Sequence, residues 1–187
     1  MRLSTQGYGL LPLLELDSTL LPSFYSRKKE LNDFILNEAI TYQNSRIGNT
    51  TCVFHEDCPD RIIAYYTLSN SGVKVTTSEF QELGINTISP LQVIPAVLIG
   101  RFAVDDDYDE CGNGRNILNL TISSIIQEFK VSATRLIVVD SGKDVEGFYT
   151  KCGFVKSFDA EKKAKNHGAK TIKMYKDILS VKDLIFV

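Results

Sequence analysis

The sequence predicts an α/β fold, a mixed β-sheet flanked by helices. Three observations carry this. Short β-branched and aromatic runs recur between stretches with helical spacing. Strand and helix signals alternate as β-α-β-β-β-α-β-α-β-β. No long Pro, Gly or Ser tract interrupts the 187 residues, so one domain over 1–187 is expected.

Element by element, "LLPLLELD" (10–17) reads as a first strand, with Pro12 suited to an edge. In "SRKKELNDFILNEAITYQNSR" (26–46), Leu31, Phe34, Ile35, Glu38, Ala39 and Tyr42 fall at helical spacing, with Ser26 as N-cap and Glu30 in the first turn. "TTCVFHE" (50–56) and "RIIAYYTLSN" (61–70) are strands joined through "DCPD". A short helix is expected near 78–83. "VIPAVLIGRFAVDD" (93–106) is a long apolar strand. "GRNILNLTISSIIQEFKV" (114–131) is a helix with Ile117, Leu118, Thr121, Ile122, Ile125 and Phe129 on one face. "TRLIVVD" (134–140) is a buried strand and "KDVEGFYTKC" (143–152) a helix closed by Gly153. "GFVKSFD" and "AKTIKMYKDI" close the chain as strands around a basic loop.

A composition 43% hydrophobic and 24% charged is that of an ordinary globular protein. A net charge of -2 gives no global attraction to nucleic acid or anionic membranes. The N-terminal apolar run is broken by Pro12 and closed by Glu15 and Asp17, so neither a signal peptide nor a membrane span is expected. Cys52, Cys58, Cys111 and Cys152 form no CxxC pair and the chain has two histidines, so no metal site is expected and reduced thiols in the cytoplasm fit best.

The segment "VDDDYDECGNGRNIL" (104–118) raises a question. Gly112-Asn113-Gly114, between a strand and a helix, has the form of a phosphate cradle: the first N–H groups of a helix lack internal partners, the helix dipole is positive there, and glycine lets a phosphate approach. Yet Asp105, Asp106, Asp107, Asp109 and Glu110 precede it. A carboxylate about 8 Å from a phosphate costs roughly 2 kcal/mol at an effective dielectric near 20. The expectation is therefore that main-chain N–H groups from about 110 to 115 do the binding, that the acids face solvent, and that Arg115 is the nearby cation.

"IPAVLIGRFAVDDDYDECGNGRNIL", followed by "RLIVVDSGKDVEGFYTKCGFVKSF", resembles the GNAT superfamily of acyl-CoA-dependent N-acetyltransferases. "DECGNG" stands where the family has Arg/Gln-x-x-Gly-x-Gly/Ala, and "FYTKCGF" where it has its aromatic-Tyr…Gly-Phe motif. "FYSRKKELNDFILNEA", "IIAYYTLS" and "VIPAVLIGRFAV" also resemble the GNAT toxins of toxin–antitoxin pairs. The sequence departs from the family at Asp109, which replaces Arg/Gln, and in "DSGKDVEG", which lacks the family's pantetheine-contacting asparagine.

The resemblance implies a splayed GNAT-like sheet and acetyl-CoA as co-substrate. Cofactor contacts would come from Phe102, Ala103 and Val104 on the splayed strand and from Asp109, Glu110, Cys111, Gly112, Asn113, Gly114 and Arg115. Tyr149 would be the general acid. It also implies an antitoxin protein and a homodimer as partners. No strong general base stands out: His55 and His167 lie outside the motifs, and Glu146 shares a helix with Tyr149. That favours an α-amine, which is partly neutral at pH 7, over a lysine. The leading acceptor is the α-amine of aminoacyl-tRNA, with Lys28, Arg46 and Arg101, together with Lys143, as a local basic ring. A small amine or a protein N-terminus is the alternative acceptor, and a non-catalytic acyl-CoA-binding protein the alternative class.

Overall fold

A computed structural model describes residues 2–3, 7–85, 93–109, 112–128, 133–158 and 170–180. The expectations for Glu110, Cys111, Phe129, His167 and most of the closing basic loop lie outside these residues. The chain divides into two compact units, Met1–Ser69 with Gly100–Thr121, and Asn70–Ile99 with Ile122–Val187.

In the first unit the strands lie in the order β1 (Arg2–Leu3), β2 (Tyr8–Pro12), β3 (Asn49–His55), β4 (Ala64–Lys74) and β5 (Val93–Val104), the last two lending it one half each. The pairs β1–β2, β2–β3 and β3–β4 are antiparallel. The first strand ends at Pro12 instead of continuing to 17. Proline has no N–H for the ladder, and the chain coils into 3-10 turns at Leu13–Glu15 and Ser18–Ser23. Asp17 caps the second turn by accepting from the Thr19 N–H at 2.9 Å.

The predicted helix begins later than Ser26. It comprises α1 (Lys29–Asp33), a π turn (Phe34–Glu38) and α2 (Ala39–Asn44). Ser26 stands outside the helix, accepting from the Lys28 N–H at 3.3 Å, while Asn32 reaches back to both main-chain groups of Ser26. The segment buries Phe34, Ile35 and Ala39 against Leu13, Leu21, Phe24, Cys52, Phe54, Ile62, Tyr65 and Ala103. In the π turn the Ala39 N–H donates to the Phe34 carbonyl, five residues back. The extra residue takes Glu38 off the apolar face expected of it and leaves it exposed.

α2 ends in a Schellman motif: the Ile47 N–H donates to the Tyr42 carbonyl and the Arg46 N–H to that of Gln43, both at 3.0 Å. Arg46 occupies the left-handed position of this cap at φ 56, where glycine is usual and another L-residue costs about 1 kcal/mol. Arg46→Gly is therefore expected to raise Tm by a few degrees in a thermal melt. If Arg46 also serves an anionic substrate, the same variant raises KM.

In the second unit the order is β4, β5, β6 (Leu136–Gly142), β8 (Thr171–Asp177) and β7 (Val155–Lys156). β6 is parallel to β5 but antiparallel to β8, and β7 is antiparallel to β8. The β5–β6 register holds only Ala96↔Leu136 to Leu98↔Val138, against seven pairs between β6 and β8. So short a pairing for a strand of 12 residues is the expected splay. α3 (Thr77–Glu82) opens with a capping box of Thr76 and Glu79 and packs Phe80 against Val73, Ile94, Ala96, Leu136, Val138 and Tyr175. The strand expected over "GFVKSFD" is confined to Val155–Lys156. After it the Phe158 N–H leaves the ladder for the Glu79 carboxylate, at 3.0 Å.

Candidate active site

The first unit holds the glycine loop. β5 delivers Phe102, Ala103 and Val104, with Ala103 buried in the core. The strand hands over to α4, the single turn Asp106–Asp109, and then to α5 (Gly114–Glu128). α5 forms because Ile117, Leu118, Ile122 and Ile125 recur on one face, and all four are buried.

Asp107 and Asp109 are exposed, as expected, but Asp105 is enclosed and Asp106 half-buried, which corrects the expectation for these two. Asp105 is 0% exposed. Its carboxylate accepts from the Tyr25 N–H at 2.9 Å, from Arg61 Nη2 at 2.5 Å and from the Asp107 N–H at 3.0 Å, and so caps α4. Its main chain is held as well, with N–H donating to Ile63 and C=O accepting from Tyr108 and Asp109. Arg61 also reaches Asp107 at 2.7 Å, and the two carboxylates, Asp107 first, hold the guanidinium above its ordinary pKa. Asp106 accepts from the Arg27 N–H, and the Arg27 side chain lies 3.6 Å away. The acidic run is thus a set of helix caps and ion-pair partners that anchors the end of β5 to residues 25–27 and 61. Arg61 was missed from sequence because it lies 44 positions from Asp105 in a turn with no motif.

Asp109, at the family's Arg/Gln position, turns toward α5. Its Oδ1 accepts the Gly114 N–H at 3.1 Å, and its carbonyl accepts the Gly112 N–H at 2.8 Å. Asn113 Nδ2 donates to the Tyr108 carbonyl at 3.0 Å. Gly112 has φ 72, a left-handed conformation that favours glycine, and a Cβ built there meets nothing within 4 Å. The face above Gly112 is open to an incoming group. Arg115 is exposed one residue into α5.

The second unit holds the tyrosine. α6 (Glu146–Lys151) carries Tyr149, 9% exposed, its ring edge-on to Phe148 at 5.2 Å and Phe154 at 5.5 Å. Gly153, at φ 83, ends the helix as expected. Burial first, then Cys152, pushes the Tyr149 phenol up to about 12. Glu146 is engaged: Lys156 Nζ lies 2.6 Å from its Oε1. His55, in the first unit, packs between Tyr8 and Tyr108 with Nδ1 3.2 Å from Asp57 Oδ2. Neither is a free base.

Of the basic residues, Lys28 and Arg46 are not neighbours. Lys28 precedes α1 and Arg46 follows α2, at opposite ends of a helical stretch some 25 Å long at about 1.5 Å per residue. Arg101 lies over the Phe34 ring, 4.9 Å from its centroid, and donates to the Gly100 carbonyl at 3.0 Å. Among the described residues no group of His, Cys, Asp and Glu could hold a metal ion, and no helix is long and apolar enough to cross a membrane.

No family model matches the chain, and no curated protein matches it in sequence. Solved structures do match. A tyrosine-to-phenylalanine mutant of KacT is 19% identical, covering 96% of this chain and 100% of its own, with a TM-score of 0.74. AtaT complexed with acetyl-methionyl-tRNAfMet is 17% identical, covering 95% and 98%, with a TM-score of 0.75. AtaTR bound with acetyl-CoA is 17% identical over the same shares, with a TM-score of 0.70. Over nearly its whole length the chain shares the fold of these structures, a mixed β-sheet flanked by helices, as expected.

Proposed function

We propose that the chain is an acetyl-CoA-dependent N-acetyltransferase, acting as one domain in the cytoplasm on a primary amine, with the α-amine of aminoacyl-tRNA as acceptor. One observation carries this reading: along a fold shared nearly end to end with structures complexed with acetyl-methionyl-tRNAfMet or bound with acetyl-CoA, the β5–α5 junction has a left-handed, open Gly112 and α6 carries a buried Tyr149. Cofactor phosphate binds the main-chain N–H groups at the start of α5, with Gly112, Asn113, Gly114 and Arg115 around it. Along Phe102, Ala103 and Val104, the N–H groups on the side of the strand away from β4 align the pantetheine and polarise the thioester carbonyl. The neutral amine attacks that carbonyl, a C–N bond forms and the C–S bond breaks. The departing thiolate takes the Tyr149 proton, and the proton shed by the new amide's nitrogen passes to solvent, from which Tyr149 is reprotonated. By the same likeness an antitoxin protein is a partner, and the family resemblance adds a second copy of the chain.

The acceptor has a rival. Arg27 is tied to Asp106 and Lys29 to Asp33, so part of the basic patch near Lys28 is already neutralised, which favours a peptide N-terminus or a small amine. Incubation with acetyl-CoA, total charged tRNA and a peptide mixture, read by mass spectrometry, decides. Acetylated aminoacyl-tRNA is the expected product. Acetylated peptides alone transfer the assignment to the rival, and bound acetyl-CoA with no acetylated amine overturns the enzymatic reading.

A further inference from the structure

We propose that Asp109 is an internal stand-in for the cofactor's diphosphate, a carboxylate that caps α5 in the free protein and is displaced when acetyl-CoA binds. This rests on the acetyl-CoA reading above and adds a residue that sets cofactor affinity. Its Oδ1 accepts the Gly114 N–H at 3.1 Å, the amide that the second glycine of the motif would offer to phosphate. The neighbouring acids are committed elsewhere, Asp105 and Asp107 to Arg61 and Asp106 to Arg27, whereas Asp109 has no basic partner among the described residues. Beside it Gly112 holds a left-handed turn, and nothing lies within 4 Å of where a Cβ would stand.

An N–H group of one helix end cannot serve a carboxylate and a phosphate together, and two anions at one helix terminus repel. Binding therefore requires the Asp109 side chain to swing away, and the intrinsic affinity of the cradle is reduced by whatever the cap contributes. An Arg or Gln at this position, as in the family pattern, imposes no such competition. In this chain the aspartate trades affinity for a helix end that is satisfied without ligand.

Asp109→Asn tests this without unfolding the loop, because asparagine caps helices about as well as aspartate but carries no charge. Titration calorimetry with acetyl-CoA, and separately with inorganic pyrophosphate, is run on both proteins, with a thermal melt of each. The expected result is binding tightened about five- to twentyfold for both ligands at similar Tm. Acetyl-CoA affinity unchanged within twofold, or weakened, in the asparagine variant overturns the proposal while leaving the enzyme reading intact. Absence of acetyl-CoA binding in both proteins overturns both.

Discussion

Tyr149→Phe is expected to lower kcat by 10²- to 10⁴-fold while the Kd for acetyl-CoA stays within about twofold. The phenol contributes one thing that phenylalanine lacks, a proton for the leaving sulfur. Its pKa of about 12 lies well above that of a thiol in water, about 8.5, which would make the transfer unfavourable for a hydrated thiolate. Burial changes the comparison. Desolvation raises the basicity of a departing thiolate as well, which narrows the gap when both groups are out of water. Phenylalanine keeps the ring and its edge-on contacts with Phe148 and Phe154, and the variant should melt close to the wild-type temperature. The pH profile follows with its sign. The rate rises through pH 8 as an α-amine acceptor loses its proton, and Tyr149 sets no descending limb until well above pH 10. Because the folded phenol titrates higher than an unfolded one, its stabilising contribution is complete below pH 10 and is lost as pH rises through about 12. A kcat within threefold of wild type would remove Tyr149 from the chemistry.

Asp105→Ala is expected to destabilise the fold by about 3 kcal/mol. The carboxylate is fully enclosed and serves the Tyr25 and Asp107 N–H groups and Arg61. Its removal leaves these donors without an acceptor and a half-buried guanidinium with only the exposed Asp107. In a chain of this length that corresponds to a Tm lower by about 6–12 °C, read by calorimetry. Asp105→Asn keeps an acceptor and should lose about half as much. Since Asp105 also caps α4 ahead of the glycine loop, acetyl-CoA affinity in Asp105→Asn should fall with little change in kcat. A Tm within 2 °C of wild type for Asp105→Ala would show that the site relaxes around the loss.

What could be read in advance followed from periodicity and local chemistry. β3, β4, β5, α5 and α6 lie within a few residues of their expected positions because their patterns are dictated by burial, and the Gly112 turn was marked by its residue type. The errors share a cause: they turn on partners distant in sequence. The role of Asp105 is invisible without Arg61 and Tyr25, and a run of acids reads as a solvated turn. Glu38 fell on an apolar face because a uniform helix of 3.6 residues per turn was assumed, whereas the π turn adds a residue and moves it outward. The strand past Pro12 failed because apolar residues alone do not distinguish a strand from 3-10 turns that pack the same side chains.

The widened turn at Phe34–Glu38 also bears on how this helix tolerates changes of length. Elsewhere in a helix, losing a residue rotates all that follows by about 100°, which would swing Tyr42 off Phe34 and draw Gln43 away from the Thr50 N–H it accepts at 3.1 Å. Within this turn the surplus residue is already looped out, so deleting one of the exposed Leu36, Asn37 or Glu38 lets the coil tighten to ordinary pitch while both flanks keep their bearings. Natural relatives one residue shorter should have their gap here.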